Sequence, residues 1–137
     1  MRLIVHYVGD IHQPLHTTSQ FSKKYSKGDR GGNFQKLDKK WHGVANLHFL
    51  WDSVIYKYVH GPGKLPLKDK DWNWLKYEVD KLALEYPIKA ELLHEGDFKL
   101  WASEGFKLAR TFVYPGFTEK EKPSEEYKRK ALKVVEN

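Results

Sequence analysis

The chain predicts a mainly α-helical domain interrupted by one long polar excursion between about residues 17 and 45. Two observations lead there. Apolar residues recur at helical spacing in several segments bounded by helix caps and breakers. Lysine, glycine and serine instead crowd the stretch from Thr17 to Lys40. With 137 residues, 40% apolar and 15% aromatic, the chain has the size and content of one domain with a real core.

Arg2 to His12 reads as a helix with Leu3, Val5, Tyr7, Val8 and Ile11 spread around most of its surface, which predicts burial. Pro14 stops it. The polar excursion contains "GDRGGN" at 28–33, where consecutive glycines allow a tight turn, and "NFQKLDKKW", which suits a short hairpin. Asn46 is placed to cap a helix from Leu47 to about Val59. "HGPGKLPL" at 60–67 breaks the chain. Leu75, Val79, Leu82 and Tyr86 mark an amphipathic helix ending before Pro87. Phe98, Trp101, Leu108, Phe112 and Val113 mark another, and both aromatic stripes are expected in the core. A last helix, capped by Ser124, carries Tyr127, Ala131, Val134 and Val135 on one stripe.

The bulk numbers exclude some functions. No apolar run reaches the roughly 18 residues of a membrane span, and "MRLIVHYV" is no signal peptide, since His6 and Asp10 interrupt it. Without cysteine there is no disulfide. The net charge of +6 suits an anionic partner such as nucleic acid or phospholipid headgroups, and equally a solvated lysine-rich surface.

Chemistry concentrates in "HYVGDIHQPLH", residues 6–16, and "NLHFLWD", residues 46–52. On a helix, positions i and i+4 share a face, so His6 pairs with Asp10 and His48 with Asp52. Either pair alone is commonly a hydrogen-bonded couple. Two pairs, with His16 beyond the proline bend, make a set of imidazoles and carboxylates of the kind zinc accepts. Clustered zinc ions suit phosphate ester hydrolysis, because they bind phosphoryl oxygens and acidify water. His12 lies on another face and reads as a supporting or core histidine. His42, His60 and His94 fall in loop-like stretches.

Taken in order, "HYVGDIHQPLH", "DRGGN", "NLHFLWD" and "WASEGFKLARTFVYPG" resemble the class I nucleases, the S-one/P-one type zinc nucleases, which share a helical fold with zinc phospholipase C. The resemblance covers the chain to about Gly116 and loosely its tail. It implies cleavage of single-stranded DNA and RNA, removal of 3′-phosphates, and three zinc ions. By motif, His6 resembles a ligand of the first zinc and Asp10 the bridging, catalytic carboxylate. His16, His48 and Asp52 resemble the whole ligand set of another zinc. Phospholipases typically end the second motif in glutamate, so Asp52 favours the nuclease branch. Against the family pattern, residues 1–137 read as a single partial nuclease domain that begins downstream of an N-terminal metal-ligand segment and ends early. Arg110 stands where relatives usually carry a disulfide cysteine. The resemblance further implies single-stranded nucleic acid or nucleotides as substrate and a secreted or lysosomal/endosomal location; no obligate protein partner is evident from the sequence. Tyr25, Phe34 and Trp41 are aromatic residues near the site, open to stacking, packing or solvent-facing roles. A phospholipase C-like hydrolase of lipids and an inactive zinc-binding fragment are the alternatives.

Overall fold

The computed structural model describes residues 2–38, 41–56, 66–87 and 96–136. The elements are α1 (Arg2–His12), α2 (Leu47–Asp52), a 3-10 turn (Val54–Tyr56), α3 (Asp69–Glu85), α4 (Phe98–Leu108) running into a π-helical turn (Ala109–Val113), and α5 (Glu125–Glu136). This is the expected helical class. Among the described residues no strand forms; the excursion contributes one antiparallel bridge, Lys36 to Asn46, and residues 39–40 of the hairpin expected within 33–41 lie outside the described residues.

Caps explain several boundaries. The Asn46 side chain accepts from the Phe49 amide at 2.8 Å, and Ser124 Oγ accepts from the Tyr127 amide at 3.1 Å, each satisfying a first-turn donor that the helix cannot pair. Asp97 does the same for Leu100 at 2.9 Å. α2 is far shorter than the predicted 47–59 helix. Val54 and Ile55 both enter the left-handed region, with φ of 51° and 53°, which breaks the right-handed ladder. Residues 57–59 of that expected helix lie outside the described residues, as do His60, His94 and most of the 60–67 breaker.

The core lies between the excursion and the C-terminal half. Leu15, Leu37, Val44, Leu47, Leu50, Trp51, Ile55, Val113, Tyr127 and Ala131 form one buried cluster. Two faces predicted to be buried are not. On α1, Leu3, Ile4, Val5 and Tyr7 are exposed, because α1 meets α4 through its other side. Gly105 of α4 lies against the end of α1 and the bend that follows: a Cβ there would lie 3.8 Å from the Ile11 carbonyl oxygen, 2.9 Å from Thr17 Oγ1 and 3.6 Å from Pro14 Cα. α3 has no buried residue, and Trp72, Tyr77, Val79 and Leu84 stand out in solvent. Amphipathic spacing encodes a capacity to pack that is realised in part: Phe98 on α4 and Val135 on α5, both on stripes expected in the core, also stay exposed, at 60% and 38%.

One polar link runs through the core. Trp51 Nε1–H donates to the Tyr127 hydroxyl at 2.9 Å, and that hydroxyl donates to the Val113 carbonyl at 3.2 Å. It ties α2, the π-helical turn and α5 at one atom. Burial pushes the Tyr127 phenol well above its ordinary value, against the smaller opposing effect of the Trp51 donor, so the link stays neutral and intact across the working pH range. Tyr127→Phe should therefore destabilise the chain by about 1–3 kcal/mol, the cost of a buried N–H left without an acceptor. Urea unfolding monitored by tryptophan fluorescence checks this; an unchanged midpoint would refute the link.

Candidate metal centre

α1 and α2 bring their His/Asp pairs to one place. On α1, His6 Nε2 lies 3.3 Å from Asp10 Oδ2; on α2, His48 Nε2 lies 3.4 Å from Asp52 Oδ2. The bend at Pro14 swings His16 between the two helices. Its Nε2 is 3.1 Å from Asp52 Oδ1 and its Nδ1 is 3.5 Å from Asp10 Oδ1. The His16 and His48 rings stack, 4.9 Å apart and 8° from parallel. His16, His48 and Asp52 each present a ligand atom within 4.8 Å of the others. Asp10 joins this group through His16, and His6 stands at its outer edge with a side chain 66% exposed.

The donor set fits a cation on chemical grounds. His48 Nδ1 lies 2.8 Å from the Gly31 carbonyl, which can only accept, so Nδ1 carries the proton. In the neutral ring Nε2 is then a lone pair aimed at Asp52. Neutral His16 likewise has one N–H for two facing carboxylates, so a second lone pair meets a carboxylate oxygen. A cation among these atoms converts both repulsive approaches into bonds. Two imidazole nitrogens and a carboxylate form the three-ligand set of open zinc sites.

Around these ligands stands a shell that sequence reading missed. Gln13 donates from Nε2 to Asp52 Oδ1 at 2.8 Å while its Oε1 accepts from the Leu15 amide at 2.5 Å, so the carboxylate is aimed by a fixed amide. Its place inside the first motif, between Asp10 and His16, was the available signal. Asp29 is the second omission. It is wholly buried and accepts from the Gln20 amide at 2.9 Å, Tyr114 Oη at 3.1 Å, Gln35 Nε2 at 3.2 Å and Ser19 Oγ at 3.3 Å. Burial, and then the Asp29 charge, push the Tyr114 phenol upward, which keeps it a donor. After Asp29, three residues in succession are left-handed: Arg30, Gly31 and Gly32, with φ of 55°, 60° and 81°. This is how "DRGGN" delivers the Gly31 carbonyl to His48.

Other expectations resolve more simply. His12 is no ligand: its Nδ1 faces the Val8 carbonyl at 2.7 Å and its ring rests 4.9 Å from Trp101. The carboxylates open onto a cleft of about 690 Å³ that also meets Trp51, Trp101, Glu104 and Leu108. A second cleft of about 660 Å³ reaches His16 and His48 from the side of Arg30 and Thr18.

Gly31→Ala tests the support. A Cβ there would sit 2.2 Å from the Leu15 carbonyl oxygen, an overlap with backbone that no rotamer relieves. The variant should lose more than the ~1–2 kcal/mol of a left-handed alanine and bind zinc about 10–100-fold more weakly. Gly43→Ala is the control, with φ of 72° and nothing within 4 Å of the added carbon. It should show the conformational cost alone. Thermal unfolding and zinc titration separate the two.

A profile of the S1/P1 Nuclease family matches residues 1–137. Among curated proteins of Arabidopsis thaliana, Endonuclease 2 is 32% identical over 146 aligned residues, covering 96% of this chain and 43% of that protein. Endonuclease 1 is 31% identical over 144, covering 95% and 41%. Endonuclease 5 is 45% identical over a shorter 51-residue stretch, 36% of this chain and 14% of that protein. The chain thus spans about two fifths of the length of the first two relatives. With the profile running from end to end and both His/Asp pairs gathered at one cleft, the chain belongs to the S1/P1 nuclease family.

Proposed function

We propose that this chain carries a zinc site of a phosphodiester hydrolase that cleaves single-stranded DNA and RNA, with removal of 3′-phosphates as a further activity. The observation that carries the reading is the convergence of His16, His48 and Asp52 on a donor set without thiolate, with Asp10 one histidine away. Endonucleases among the relatives support the same class of reaction. His16, His48 and Asp52 would hold one zinc, and His6 and Asp10 would contribute to its neighbours. Zinc bound there supplies Lewis acidity toward phosphoryl oxygens and lowers the pKa of water.

The chain's own residues do the rest. Asp10 lies within reach of both His6 and His16 and so is the carboxylate shared between neighbouring positions. The Gly31 carbonyl holds the His48 tautomer, and Gln13 holds the Asp52 rotamer, so the ligands need little rearrangement to act. The cleft beside them is walled by Trp51, Trp101 and Leu108, apolar surfaces that shed water, and the half-buried Trp101 offers planar contact to a base.

His48→Ala should lower zinc content by about one equivalent per chain, read by elemental analysis after dialysis, and abolish cleavage of denatured DNA. Retention of the wild-type stoichiometry would sink the assignment. Turnover of a phosphatidylcholine analogue, with denatured DNA untouched, would move the substrate to the phospholipase side.

A further inference from the structure

We infer that the loop from Lys24 to Phe34 is a track for single-stranded nucleic acid, guiding the strand from the metal cleft outward along alternating cations and aromatic rings. This rests on the proposed nucleic-acid substrate and adds the surface that binds it beyond the cleaved bond.

The geometry is a continuous ladder. Arg30 lines the cleft that reaches His16 and His48. Its guanidinium lies 5.2 Å over the Phe34 ring, Phe34 stands 6.3 Å from Tyr25, and Lys24 Nζ lies 5.0 Å over the Tyr25 ring. Phe34 remains 42% exposed, although a benzyl side chain favours burial. Arg30 holds a left-handed backbone, with φ of 55°, which is uncommon for a residue with a long side chain. This conformation places a cation at the mouth of the cleft.

The ladder is preorganised. Glu119 ties down its outer end by accepting from Lys24 and from the Tyr25 hydroxyl, which also lies 3.3 Å from the Phe34 carbonyl. Burial opposes ionisation of Glu119, and the Lys24 and Tyr25 hydrogen bonds overcome it and hold its carboxyl below the ordinary range. The tie therefore persists at neutral pH.

Charge selects the occupant. Lys24, Lys27 and Arg30 are exposed on this loop and Lys23 and Lys36 flank it, whereas Asp29 is sealed with its charge spent on four internal donors and Glu119 is paired with Lys24. The exposed Phe34 and the half-buried Tyr25, set between cations, match a polymer that alternates phosphate and base. Each base offers a face whatever its identity, and each phosphate a charge. A duplex hides its base faces, so this surface favours single strands.

The test is fluorescence anisotropy of the zinc-loaded chain with a cleavage-resistant phosphorothioate oligothymidylate of about 15 nucleotides and with a thymidylate dinucleotide. Phe34→Ala should weaken the long ligand about tenfold and the dinucleotide less than about twofold, and Phe34→Tyr should restore the long-ligand affinity. Arg30→Gln should lower the salt slope of long-ligand binding by about 0.7. Trp72→Ala on α3, an aromatic more exposed than Phe34 and not part of the ladder, is the control. A Phe34→Ala effect no larger than that of Trp72→Ala, an equal loss on the dinucleotide, or preference for phosphatidylserine vesicles over the oligonucleotide would overturn the inference. Phe34-dependent binding with no cleavage of denatured DNA would remove only the hydrolase reading. Cleavage with Phe34-independent binding would remove only the track.

Discussion

A buried carboxylate sets the shape of the metal-site face. Asp29 is wholly removed from water, and an unpaired charge there would be prohibitive. Four donors from three separate stretches of chain converge on it: Ser19 and Gln20, Gln35, and Tyr114. Meeting that demand folds the polar excursion back on itself and locks it to the end of the π-helical turn. The left-handed run of Arg30, Gly31 and Gly32 follows directly, and with it the position of the Gly31 carbonyl against His48. One electrostatic requirement therefore reaches the metal ligands through two residues of backbone and one hydrogen bond.

The ligands themselves come from both sides of this frame. α1 supplies His6 and Asp10, the bend after it supplies His16, and α2 supplies His48 and Asp52. Each helix delivers a pair at i and i+4, which is the cheapest way to fix two side chains on one face. The bend at Pro14 and the short α2 decide the angle at which the pairs meet. Gln13 and Gly31 then remove rotational freedom from Asp52 and His48. This division of labour leaves the ligand-bearing cleft partly open to solvent while its supports are pinned to buried atoms.

The loop that carries Asp29 faces two ways. Inward, it is a sealed hydrogen-bond hub. Outward, it displays lysines, Arg30, the exposed Phe34 and the half-buried Tyr25. A loop of this composition would ordinarily be a solvated surface with little fixed structure. Glu119 and Asp29 give it one conformation, and that is what turns a lysine-rich sequence into an ordered array of cations and rings.

Local signals sufficed for some of this molecule. The i and i+4 spacing put His6 with Asp10 and His48 with Asp52, because helix geometry is a property of the backbone alone. Asn46 and Ser124 announced the starts of α2 and α5 through the donors that every helix leaves open. The proline after His12 announced the bend. Nonlocal choices were not legible. The exposed apolar face of α1 and the unburied stripe of α3 carry the same pattern as buried helices, since periodicity records which residues can pack together and not what they meet. The premature end of α2 depends on Val54 and Ile55, β-branched residues without local reason to turn left-handed. The roles of Asp29 and Gln13 depend on partners up to 85 and 39 positions away, and only tertiary structure brings those partners within hydrogen-bond reach.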